Sequence, residues 1–131
     1  MEEKAKLMLK TGLLLGSFFA LLTIVLGAFG AHALKDQLNE YGKTIYEKAV
    51  LYQMFHSLGI LFVAILNQYI DSVNFVSSIW LFSIGILLFS GSLYILAITQ
   101  IKWLGAITPI GGVLFIFGWA LVFYKTLTAN L

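Results

Sequence analysis

Four long stretches of this 131-residue chain, 11–34, 49–70, 72–101 and 103–124, contain no Lys, Arg, Asp or Glu. A helix needs roughly 20 mostly apolar residues to cross the hydrocarbon of a bilayer, so each stretch can cross once. Composition agrees: 60% of the residues are hydrophobic and 11% charged, against about 25% charged in soluble domains. A chain this short has too much surface to hide four apolar helices in one soluble core. The expected fold is all-α, a four-helix transmembrane bundle of antiparallel up-down type. It forms one multi-pass cell-membrane domain over 1–131, with helices at about 11–34, 44–66, 75–98 and 103–124. The lipid bilayer is its expected partner.

The fourteen charges comprise eight Lys, no Arg and six acids, a net +2. Scattered Lys without the planar Arg fork make a poor phosphate-reading surface, so no nucleic-acid partner is expected. The chain has no Cys, which excludes disulfides and thiolate metal sites. Lys4, Lys6 and Lys10 precede the first apolar run, but at 24 residues that run exceeds the roughly 7–15 of a secretory leader and reads as a retained helix. An even number of spans puts Lys4, Lys6, Lys10 and Lys125 on one side and Lys35, Lys43, Lys48 and Lys102 on the other. That balance sets no orientation.

Along the first helix Gly12, Gly16, Ala20, Thr23, Gly27 and Ala31 recur every three or four positions. In lipid such a small-residue face lets another backbone approach closely, either within the chain or in a homo-oligomer. Thr44-Ile45-Tyr46-Glu47 fits a capping box and is taken as the start of the second helix. Tyr41, Tyr46 and Tyr52 suit the membrane interface. A tight turn over 67–74, with Asp71 as its only charge, leads to the third helix. That helix carries two small-residue rows at heptad spacing, Ser78, Gly85, Ser92, Thr99 and Ser83, Ser90, Ala97, with Gly91 between them. The rows lie on different faces, so this helix should sit between two neighbours. The fourth helix holds the single proline, Pro109, followed by Gly111 and Gly112. A proline inside a helix removes a backbone hydrogen bond, and a kink is expected there.

Polar groups inside a membrane are the default place to look for function. His32 ends the first helix, Gln53 and His56 open the second, Ser90, Ser92 and Tyr94 close the third, and Thr108 and Pro109 open the fourth. Because the helices alternate in direction, all fall toward the side of the 35–48 loop, forming a polar layer. Three readings follow. The leading one is a non-enzymatic structural or interaction protein, with the layer stitching the bundle and His56 bonded to Gln53, Tyr94 or the Gly105 carbonyl. The alternative is a small-solute or proton pathway through that layer. The third is haem or metal binding by the two His. The set is incomplete for a metal, having no intramembrane carboxylate or Cys, so no cofactor and no metal ligands are assigned. No enzyme is expected, because no buried carboxylate could orient a catalytic His.

Segments in all four helices resemble one family: GAFGAHAL at 27–34, YQMFHSL at 52–58, FSGSLY at 89–94, GAITPIGG at 105–112, then Gly118-Trp119. Their order resembles domain of unknown function 423, also grouped as uncharacterised protein family 0382. The resemblance implies a four-helix protein of the bacterial cytoplasmic membrane, and it implies no activity.

Overall fold

The computed structural model describes residues 2–70 and 72–130, so the expected turn charge Asp71 lies outside the described residues. Among the described residues there are four α-helices and no strand. They are α1 (Glu2–His32), α2 (Glu40–Tyr69), α3 (Val76–Thr99) and α4 (Thr108–Leu127), with a 3-10 turn over Lys102–Ala106 leading into α4. Each is long and apolar enough to cross a membrane, the last counted together with its 3-10 turn. Each helix packs on the next in sequence, and α1 touches α3 only lightly. Short connections between consecutive packed helices make neighbours antiparallel.

The middle position of α3 follows from its two rows. Ser78 donates to the Gly118 carbonyl of α4, Ser92 meets Thr108 at the entry to α4, and Gly85 lies under the Phe115 ring. On the other face Ser90 donates to the Ala49 carbonyl of α2, and the Ala97 carbonyl lies against Gly42. Half of the α3 span (50%) is buried, against 22% of α1 and of α4. Two apolar clusters fill the bundle. One, around Phe19, Ile60, Phe75, Phe82 and Phe115, occupies the half toward the termini and the centre. The other draws Leu34 and Leu38 from the loop down onto Ile45, Tyr46, Leu93 and Leu96.

The small face of α1 is spent inside the chain. A Cβ on Gly12 would stand 2.5 Å from the Cβ of Ala64, and one on Gly16 2.6 Å from Leu61 Cγ, both on α2. At these two positions α2 of the same chain occupies that face. Gly27 is looser, with Val50 Cγ1 at 3.5 Å. Gly12→Ala should therefore destabilise the bundle by about 1 kcal/mol or more, the overpacking outweighing the helix propensity gained. Gly27→Ala should be neutral or stabilise by a few tenths of a kcal/mol, on the order of the propensity gain. Sodium dodecyl sulfate titration of the two purified variants checks the contrast; equal midpoints would count against it. Gly91 is not a tight packing position, since its Cβ would meet only the Ile86 carbonyl at 4.0 Å.

Three helix starts differ from the sequence expectation. α1 begins at Glu2 rather than Thr11, so the charged segment is helical and carries the Glu2–Lys6 pair on its surface. At 31 residues α1 is about 45 Å long, more than the roughly 30 Å hydrocarbon core needs, and its charged turns extend beyond it. α2 begins one turn before the expected capping box: Asn39 is the N-cap, its side chain accepting from the Gly42 N–H at 2.6 Å. Asn is among the best N-cap residues, and Thr44 is left in the helix interior donating to the Glu40 carbonyl. Pro109 does not kink a helix. It stands in the first turn of α4 after the 3-10 turn, where its missing N–H would have had no helical partner anyway.

Candidate functional site

Helix geometry brings most of the polar layer together, and each member finds a partner in the chain. Gln53, buried on α2, donates through Nε2 to the Phe19 carbonyl of α1 at 3.0 Å and accepts the Tyr94 hydroxyl of α3 at 2.8 Å. The Tyr94 ring lies edge-on against Tyr46, whose hydroxyl donates to the Leu26 carbonyl of α1 at 2.6 Å. Those bonds tie α1, α2 and α3. Ser90 adds its bond to Ala49 at 2.7 Å, and the Ser92 and Thr108 hydroxyls are 2.6 Å apart. Interhelical hydrogen bonds in lipid contribute about 0.6 kcal/mol each, so the set adds a few kcal/mol and fixes helix register.

His56 is buried where α2, α3 and α4 meet. Its ring stacks on Phe115, centroids 3.5 Å apart and planes 8° from parallel. Trp119 donates its indole N–H to Nε2 at 3.1 Å, and Nδ1 lies 2.7 Å from the Tyr52 carbonyl. An indole nitrogen only donates and a carbonyl only accepts, which assigns the neutral tautomer with its proton on Nδ1. Both ring nitrogens are thus engaged. The expected partners of His56 were Gln53, Tyr94 or the Gly105 carbonyl; it has none of them, because Gln53 is turned toward α1 and Tyr94. Trp119 is the residue the polar-layer reading missed. A tryptophan about three-quarters of the way along an uncharged span needs an acceptor for its N–H, and that need was the available signal.

His32 does not join the layer. It lies exposed at the end of α1, while His56 is enclosed by aromatic rings. The structure therefore does not bring the two His of the haem or metal reading into one aromatic pocket, and both ring nitrogens of His56 have partners within the chain. Among the described residues no three His, Cys, Asp or Glu side chains cluster as ligands. Pro109 lines the wall of a groove. None of the buried side-chain nitrogens and oxygens among the described residues lacks a hydrogen-bond partner.

That groove, about 830 Å³, opens sideways between α2 and α4. Tyr52, Phe55 and His56 form one wall, Pro109, Val113 and Trp119 the other, and Phe89 of α3 belongs to its lining. Gly112 also lines it; its Cβ would make ordinary contact with the Phe89 ring at 3.7 Å, so this glycine is not a tight helix-packing position. The surface is almost wholly apolar; the His56 and Trp119 ring nitrogens bond to each other, and Tyr52 brings a hydroxyl.

The model of a family described as protein of unknown function, DUF423, matches residues 26–112. The chain belongs to the DUF423 family. Its match covers the quoted segments from Gly27 to Gly112 and stops short of Trp119. The chain is also 48% identical over 119 residues to a UPF0382 membrane protein of Staphylococcus epidermidis, covering 91% of this chain and 97% of that one. It is 45% identical over 115 residues to the UPF0382 membrane protein YwdK of Bacillus subtilis, covering 87% and 94%. No solved structure matches. With four membrane-capable helices and relatives named as membrane proteins, this DUF423 chain is a multi-pass integral membrane protein whose apolar helix faces contact lipid.

Proposed function

We propose that the chain is a non-enzymatic membrane protein with a structural or interaction role, its polar layer holding helix positions rather than moving a solute. One observation carries this reading: every buried polar side-chain atom described is already bonded within the chain, and no free set converges on a cavity. The pathway alternative needs His56 to exchange a proton with a wet channel. Nε2 is instead covered by Trp119, and the space beside it is an apolar groove. A homo-oligomer, if formed, has the outward side of α1 available, where Leu14, Phe18, Leu21 and Val25 are exposed. Nucleic acid has no place in this reading, for want of Arg or a dense basic surface.

The test pairs stability with permeability. Trp119→Phe removes the donor to His56 and should lower unfolding stability by about 1 kcal/mol, the upper range for one interhelical bond. Vesicles containing the wild-type protein or the variant should hold a pH gradient as long as empty vesicles do. Faster decay with wild-type protein, abolished by His56→Phe, would establish the pathway and overturn the packing role.

A further inference from the structure

The groove between α2 and α4 has a length and a chemistry that select an occupant. Its α4 wall runs from Pro109 to Trp119, ten residues at about 1.5 Å each, or about 15 Å. That is half of the roughly 30 Å hydrocarbon core, the depth of one leaflet. The groove starts at the loop-side entry of α4 and ends at the bonded His56–Trp119 pair, which closes its inner end without offering a free donor or acceptor. Apart from the Tyr52 hydroxyl, the groove offers a polar solute almost nothing to bond. A linear hydrocarbon chain entering from the side would cover Leu51, Phe55, Val113 and Ile116, all of which are exposed.

The mouth carries charge. Lys48 precedes Leu51, Tyr52 and Phe55 by three, four and seven residues, so it stands on the same stripe of α2, one turn nearer the surface. It is exposed and forms none of the ion pairs among the described residues, which are Glu2–Lys6 and Glu40–Lys43. Its neighbour Glu47 faces the separate cleft shared with α1.

We propose that this groove binds one anionic phospholipid, with an acyl chain between Phe55 of α2 and Val113 and Ile116 of α4 and the headgroup phosphate at Lys48. The site goes beyond the non-enzymatic reading and does not depend on it, since the test reads bound mass and not flux. Native mass spectrometry of the full chain, released from detergent with phosphatidylglycerol or phosphatidylcholine added, measures it. The expected result is one phosphatidylglycerol per chain, held more tightly than phosphatidylcholine. Lys48→Gln, on an exposed position, should reduce that preference about fivefold, as one surface lysine is worth near an anionic headgroup. Gly112→Leu should abolish retention of both lipids, because the new side chain fills the groove while its Cβ clears Phe89. Wild-type protein without bound lipid, lipid retention unaltered in the Gly112→Leu chain, or an unchanged preference in the Lys48→Gln chain would each overturn the site. So would a lipid-free dimer, which would make a second copy the occupant.

Discussion

Gly111→Leu should be among the most damaging single substitutions in this chain, lowering unfolding stability by about 3 kcal/mol or more, at and beyond the usual range for overpacking. The reason is what stands in the way. A Cβ on Gly111 would run into the backbone nitrogen and Cα of Phe89 on α3, whereas at Gly85 and Gly118 the nearest atoms belong to the rings of Phe115 and Phe82. A ring can turn, but a helix backbone must move as a body. Moving α4 away from α3 would also part Ser78 from the Gly118 carbonyl and Ser92 from Thr108. In lipid there is little hydrophobic drive to press helices together again, so lost close packing is not recovered elsewhere. Sodium dodecyl sulfate titration should show Gly111→Leu unfolding well before wild type, with Gly118→Leu between them. Equal midpoints for the three proteins would mean that α3 and α4 do not approach at Gly111.

What the sequence made legible was whatever depends on solvent and periodicity. Uncharged length located the spans, because lipid tolerates few charges at any position along a helix. The two heptad rows placed α3 between α2 and α4, because small residues in a membrane helix mark close backbone approach. Helix ends were less legible. The capping box at Thr44 was the sequence signal, but the cap is Asn39, one turn earlier, just past Leu34 and Leu38, which pack down into the loop-side cluster. Pro109 was placed inside a helix because hydropathy runs unbroken from 103, whereas the backbone is a 3-10 turn over Lys102–Ala106. Spacing could put Gln53 and His56 near the same depth, but a difference of three residues turns their side chains about 300° apart around α2, or 60° the other way. That angle sends Gln53 to α1 and His56 to α4. Partner choice is a property of three helices at once, and single-helix periodicity does not contain it.

Gln53→Ala should be the most costly change within the polar layer, at about 2–3 kcal/mol. Two interhelical bonds go, at about 0.6 kcal/mol apiece on average and up to roughly 1.7, and a gap opens among packed helices. The two former partners are left in different states. The Phe19 carbonyl still accepts the Thr23 hydroxyl at 2.7 Å, but the Tyr94 hydroxyl has no other bond in the structure. A buried hydroxyl without a partner costs about 1–3 kcal/mol where nothing else can solvate it. Removing that hydroxyl as well, in Gln53→Ala with Tyr94→Phe, should therefore recover part of the loss. The double variant should be more stable than the sum of the two single changes implies, by about 1 kcal/mol, as expected for directly bonded groups. Strict additivity in this cycle would mean that Tyr94 and Gln53 do not share a bond, and the side-chain tie of α3 to α2 would have to be traced through Ser90 and Ala49.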